Sequence, residues 1–149
     1  SIAFDTLVCA VGSGGTLAGL TAGAGLLKSQ TQILGINVCD DAEYFEAISK
    51  SIQETLSEQF GLKGASNRAA EVVDGFVGPG YALSGKGDHE MISKMAQLEG
   101  LILDPAYTAK AFYGLVESIR SNHPGFGKRI LFLHSGGAFG LFPHRNSFF

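Results

Sequence analysis

Thr6-Leu7-Val8-Cys9-Ala10-Val11 runs directly into Gly12-Ser13-Gly14-Gly15-Thr16, and Leu17–Lys28 follows as a run of small and apolar residues. This order decides the fold class. The first six residues are apolar and partly β-branched, the composition of a buried strand. The glycines then end the strand abruptly. Leu17–Lys28 reads as a helix in which Gly19, Gly23 and Gly25 lower helix propensity but permit close packing against a sheet.

The pattern repeats along the chain. Ile33–Val38 is a second buried strand, and Asp40 can cap a helix from Ala42 to about Phe60, where Ile48, Ile52 and Leu56 recur at helical spacing. Gly61–Asn67 is a loop. Val72–Val77 is a weaker third strand, and Gly78-Pro79-Gly80-Tyr81 is a loop by its turn residues. Asp88–Glu99 reads as a helix stopped by Gly100, followed by a short extended piece, Leu101–Leu103. Asp104 as N-cap and Pro105 at the first helical position start a helix to about Ser121. Arg129–His134 is the last strand, and Ser135-Gly136-Gly137-Ala138-Phe139-Gly140 is a second glycine loop. Strands alternating with helices predict a three-layer α/β fold, a mainly parallel sheet with helices on both faces. No linker or internal repeat divides it.

Composition narrows the function. Of 149 residues, 45% are apolar and 17% charged, enough apolar surface for a folded core. The formal charge of −3 comes without a basic block, so no nucleic-acid partner is expected. No apolar run approaches the roughly 18 residues needed to cross a bilayer, so no membrane role is expected either. Glycine is the outlier: 21 residues is about twice average usage, and they cluster beside apolar runs, where backbone turns tightly or approaches a ligand. Cys9 and Cys39 lie in strand-like runs without metal-ligand spacing and read as reduced, buried thiols. The first residues, Ser1 to Asp5, lack the basic start of a signal peptide, which with the thiols points to the cytoplasm. There is no initiating Met and the chain begins just before a strand, so it reads as a fragment.

Gly12–Thr16 carries the clearest chemistry. Backbone N–H groups converge where a glycine loop meets a helix N-terminus, and together they bind phosphate without Lys or Arg. Ser13 and Thr16 add hydroxyl donors. The Gly-Lys-Ser/Thr ending of a P-loop is absent. The dinucleotide fingerprint requires Gly or Ala where Leu17 stands, although Asp40 and Asp41 end the second strand, where a ribose-binding acid would sit. A non-catalytic nucleotide-binding α/β domain is therefore an alternative. Read singly, Tyr81 and Tyr107 are packed aromatic side chains, Ser135 a turn residue and His134 a satisfied histidine. Glu99 and Lys110 read as residues on solvated helix faces.

Two further segments change this reading. They are Glu99-Gly100-Leu101-Ile102-Leu103-Asp104-Pro105-Ala106-Tyr107-Thr108-Ala109-Lys110-Ala111 and Ile130-Leu131-Phe132-Leu133-His134-Ser135-Gly136-Gly137-Ala138-Phe139-Gly140-Leu141-Phe142. With the Gly-Ser-Gly-Gly-Thr loop, and in this order, they resemble the C-terminal half of the pyridoxal-phosphate (PLP) enzymes that include D-cysteine desulfhydrase and 1-aminocyclopropane-1-carboxylate deaminase. Those enzymes share the fold of the tryptophan synthase β subunit. The resemblance covers nearly the whole chain. It implies that residues 1–149 form the C-terminal part of the large PLP-binding domain.

By this resemblance, Gly12, Ser13, Gly14, Gly15 and Thr16 would hold the PLP phosphate. Ser135, with Gly136 beside it, would meet the pyridine nitrogen. Tyr107 would lie against the ring, and Tyr81 would be a second active-site tyrosine. The deaminases of the family carry Glu directly after the Asp-Pro-x-Tyr tyrosine, whereas this chain has Thr108. A hydroxyl rather than a carboxylate at the ring nitrogen favours elimination steps. Both features point to conversion of D-cysteine, or a similar small amino acid, into pyruvate, ammonia and sulfide, with deamination of 1-aminocyclopropane-1-carboxylate as the alternative. The family's Schiff-base lysine lies in its N-terminal half, with the smaller domain, and no lysine here matches it. The resemblance implies an inactive isolated chain that needs that half as partner, and a homodimer.

Overall fold

The computed structural model describes residues 3–80 and 83–147, so Tyr81 lies outside the described residues. In chain order the elements are β1 (Thr6–Val11), α1 (Gly15–Leu26), β2 (Gln32–Asn37), α2 (Ala42–Gln59), β3 (Glu71–Val73), α3 (Lys86–Glu99), α4 (Thr108–Arg120) and β4 (Ile130–Leu133). A 3-10 segment, Ala138–Ser147, follows. The strands form one parallel sheet in the order β3-β2-β1-β4, with β4 as an edge. Val8 pairs with Leu34 on one side and Phe132 on the other.

Alternation along β1 separates the two faces, because successive strand side chains point to opposite sides. Cys9 and Val11 pack with Leu17 of α1, Ile33 of β2 and Phe45 of α2. Val8 packs with Leu34 and Ile36 of β2 and with Ala111 and Leu115 of α4. A third cluster, Met91, Ile92, Leu103 and Ala109, joins α3 to α4. The α/β sandwich, a parallel sheet with helices on both faces, is therefore as the sequence predicts. Fully burying a Leu, Ile or Phe contributes about 1.5–3 kcal/mol, and Phe45, Leu17, Leu34 and Ile36 are all at most 2% exposed.

Differences from the sequence reading have local causes. β3 stops at Val73 rather than Val77 because Asp74 turns away: its carboxylate accepts from the Asn37 side chain at 2.8 Å and from the Ala42 N–H at 3.2 Å. Asp104 does cap the next helix, but a turn over 105–107 precedes the first residue of α4, Thr108.

Lys110 is the largest departure. It is 0% exposed rather than on a solvated face. Its neighbours Ala109 and Ala111 are equally buried, so this stretch of α4 has no solvent side. The ammonium donates to the Val77 carbonyl at 2.7 Å and the Gly80 carbonyl at 2.6 Å. Burial pushes its pKa down, against the opposing charge of Asp88. Lys110 thus holds the 77–80 segment onto α4.

At the other end of the sheet, Asp5 ties β1 to β4. Its carboxylate accepts from the Lys128 N–H at 3.1 Å and the Arg129 N–H at 2.9 Å, and the Arg129 guanidinium lies 3.3 Å away. The Arg129 backbone N–H is the main cause that lowers the Asp5 pKa.

Two outcomes follow from these contacts. Lys110→Met removes the charged donor that bridges the Val77 and Gly80 carbonyls and should lower stability by about 1–3 kcal/mol, read from the midpoint of urea unfolding. A depressed carboxylate pKa stabilises the fold above the unfolded value and loses that contribution as pH falls through the folded one. Asp5→Asn should therefore flatten the fall in stability below about pH 4, as measured by urea titrations at a series of acid pH values.

Candidate active site

The strand order fixes where a ligand can sit. From β1 the chain winds through β2 to β3 on one side, and β4 returns on the other side of β1. The loops leaving the C-terminal ends of β1 and β4 therefore diverge, and the gap between them is the usual ligand site of an open parallel sheet. A cleft of about 530 Å³ opens there, lined by Ala10, Gly12, Ser13, Thr16, Asp104, Tyr107, Ser135, Gly136 and Gly137. That volume falls within the range of small-molecule sites, about 300–1,000 Å³.

The β1 side is built from backbone. Gly14 precedes α1 with φ 80°, a left-handed conformation that glycine adopts without steric cost. It is buried against Ile48 of α2 and supports the loop from beneath, while Gly15 opens the helix. No side chain caps α1, and its first turn holds no acid. Its N-terminal N–H groups are therefore left for a ligand. The exposed Ser13 and Thr16 add two hydroxyls at the cleft. Cys39 Sγ, 3.5 Å from the Gly12 carbonyl, backs the loop.

α4 supplies the floor. The Asp104 carboxylate accepts from the Ala106, Tyr107 and Thr108 N–H groups at 2.8–2.9 Å and from the Thr108 hydroxyl at 2.7 Å. This ring of bonds fixes the start of α4 and with it Tyr107. Tyr107 packs so closely on Gly12 that an added Cβ there would lie 2.6 Å from the ring. Thr108 is fully buried and its hydroxyl is spent on Asp104, so position 108 faces the cap rather than the cleft.

The β4 side is the second glycine loop. Gly136 and Gly137 have φ of 109° and 99°. Gly137 passes so near Asp104 that an added Cβ would lie 2.6 Å from its carboxyl. Ser135 is exposed at the cleft.

The structure thus gathers Gly12, Ser13, Thr16, Tyr107, Ser135 and Gly136 around one opening; Gly14, which is buried, and Gly15, which opens α1, do not line it. Tyr81 is outside the described residues. Asp104 was read from the sequence only as a helix cap. It also lines the cleft, because the helix it caps starts there. Asp40 and Asp41 do not line it, and Asp41 caps α2 by accepting from the Tyr44 N–H at 2.8 Å. Burial pushes the Cys9 thiol up to about 12 and raises the Cys39 thiol as well, which disfavours the thiolate at both. Among the described residues no cluster suits a metal ion, and no helix is long and apolar enough to cross a membrane.

The comparisons with known proteins agree with this geometry. A Thermotoga maritima protein provisionally named a 1-aminocyclopropane-1-carboxylate deaminase is 46% identical over 93% of this chain and 43% of its own length. A D-cysteine desulfhydrase of Yersinia enterocolitica is 34% identical over 97% of this chain and 43% of its own length. The crystal structure of a 1-aminocyclopropane-1-carboxylate deaminase homologue superposes with a TM-score of 0.88 at 35% identity, covering 99% of this chain and 44% of that one. The chain spans less than half the length of these relatives. Residues 2–136 match the family described as "Pyridoxal-phosphate dependent enzyme". Carrying the glycine loop, the Asp-Pro-x-Tyr turn and the Ser-Gly-Gly loop around one cleft, the chain belongs to the pyridoxal-phosphate-dependent enzyme family.

Proposed function

We propose that this chain is the C-terminal part of the large domain of a PLP-dependent lyase acting by α,β-elimination on D-cysteine or a similar small amino acid. One observation carries the reading. An uncapped helix N-terminus and a hydroxyl-bearing glycine loop face each other across the switch point, with a tyrosine between them.

The donor set suits the cofactor. Neutral N–H groups of residues 12–16 and the hydroxyls of Ser13 and Thr16 would hold the phosphate. The one carboxylate in the cleft, Asp104, is turned into the N-terminus of α4 and spends both oxygens there. Ser135 would meet the pyridine nitrogen with a hydroxyl, and Tyr107 would lie against the ring. When bound, PLP supplies an electron sink for charge developing at the substrate α-carbon. The residues lining the cleft would orient the group. Tyr107 and Tyr81 are the candidates to position substrate or pass a proton.

Thr108 favours elimination over cyclopropane opening. Its hydroxyl hydrogen is donated to Asp104, and no carboxylate stands at that position to serve as an acid. A nucleotide reading is weaker, because the cleft opens between β1 and β4, away from Asp40 and Asp41, and Leu17 is buried in the core. The partner is the remaining length found in the relatives, which would bring the Schiff-base lysine and the smaller domain. A homodimer and a cytoplasmic location belong to the same proposal.

In a thermal-shift assay the 149-residue chain should be stabilised by PLP and not by NAD. Ser135→Ala should reduce the PLP shift. Stabilisation by NAD alone would overturn the proposal. The purified chain with PLP and D-cysteine should release no pyruvate, and measurable turnover would sink the assignment of the lysine to another segment.

A further inference from the structure

His134 is the first residue after β4, and both of its ring nitrogens are engaged. The Gly136 N–H donates to Nδ1 at 3.1 Å, so Nδ1 offers a lone pair and carries no hydrogen. Nε2 lies 2.7 Å from the Ile102 carbonyl oxygen. A carbonyl only accepts, so Nε2 carries the hydrogen. The two contacts define a single species, the neutral imidazole protonated at Nε2. A ring protonated at Nδ1, alone or in the imidazolium, would set one donor against another at Gly136.

These bonds act where the loop needs a constraint. Consecutive glycines at φ 109° and 99° have little intrinsic preference for one conformation, so outside contacts must select it. The far end is held by the Gly140 N–H on the Gly137 carbonyl at 2.7 Å. The near end is held by His134. Ile102, the other partner, lies two residues before Asp104, whose carboxylate caps α4 and touches Gly137. One imidazole therefore joins the Ser135–Gly137 wall to the segment that sets Tyr107.

We propose that His134 is a positioning residue that fixes the Ser135-Gly136 loop against the Ile102 segment, and that it does so only as the Nε2–H tautomer. Its consequence for cofactor binding rests on the function proposed above. The lock itself is observable without cofactor.

The test uses the ¹⁵N-labelled 149-residue chain at alkaline pH and the probe 4-deoxypyridoxine 5′-phosphate. This analogue lacks the aldehyde, so its binding needs no lysine. Imidazole ¹⁵N shifts should place the hydrogen of His134 on Nε2. His134→Asn puts an acceptor near the Nδ1 position and should keep the hydrogen-exchange protection of Gly136. His134→Gln reaches only Ile102, and His134→Ala reaches neither partner. Both should speed Gly136 exchange and weaken the probe by roughly threefold to tenfold, the worth of one hydrogen bond. A hydrogen on Nδ1, or equal Gly136 exchange in wild type, Asn and Gln variants, overturns the proposal. If the Ala variant unfolds, the wild-type tautomer and the Asn/Gln pair decide. A wild-type chain that shows the lock but does not bind the probe refutes the cofactor reading and upholds the lock.

Discussion

Parallel pairing of β1 with β2 on one side and β4 on the other is the constraint from which the remaining features follow. All C-terminal strand ends then lie on one rim. The winding changes direction at β1, so two loops leave that rim in opposite directions and leave a gap. Hydrogen-bonded strands lie about 4.8 Å apart, too close for a ligand between the strands themselves, so the opening exists only above them. At the opposite rim Asp5 ties the entries of β1 and β4 together.

The cleft is nearly free of formal charge, and this sets its chemistry. Its lining contains no lysine or arginine and a single acid, Asp104, whose oxygens are occupied by α4. Attraction for an anion must come from backbone N–H groups and hydroxyls. Lys110, the buried cation of α4, is spent on the Val77 and Gly80 carbonyls. Unpaired, a buried ammonium costs several kcal/mol; here two carbonyls satisfy it and gain a fixed segment in return. Polar groups that sit near the site thus act mostly on protein geometry.

Much of this was legible in the sequence. Strand identity rested on apolar runs bounded by glycines, and β1 over Thr6–Val11 and the start of α2 at Ala42 coincide with the structure. Gly12–Thr16 was legible as a ligand loop from its own glycine spacing, whereas Tyr107, Ser135 and Gly136 were legible only through the family resemblance, since read singly they are packing and turn residues. What escaped depends on long-range partners. Lys110 has the composition of a surface residue, and only the approach of residues 77–80 buries it. Asp74 ends β3 through Asn37, which is 37 positions away. His134 reveals its tautomer only when the Ile102 carbonyl is in place. Asp104 shows the limit within one motif: its capping role is local and readable, while its place at the cleft depends on where α4 sits.

The two edges of the sheet differ in one further respect. β3 is three residues long, and Glu71 on it is engaged by Gln32 at 2.9 Å. Short, charged strands of this kind resist pairing with other chains. β4, four residues long, carries no charged residue within the strand. Its outer edge bears no strand among the described residues, Leu131 on it is 38% exposed, and Phe139 and Phe142 beyond it are 83% and 69% exposed. Colloidal behaviour is therefore polarised. The open, apolar edge lies beside the cleft, so the β4 side is where the isolated chain offers a surface for pairing with other chains.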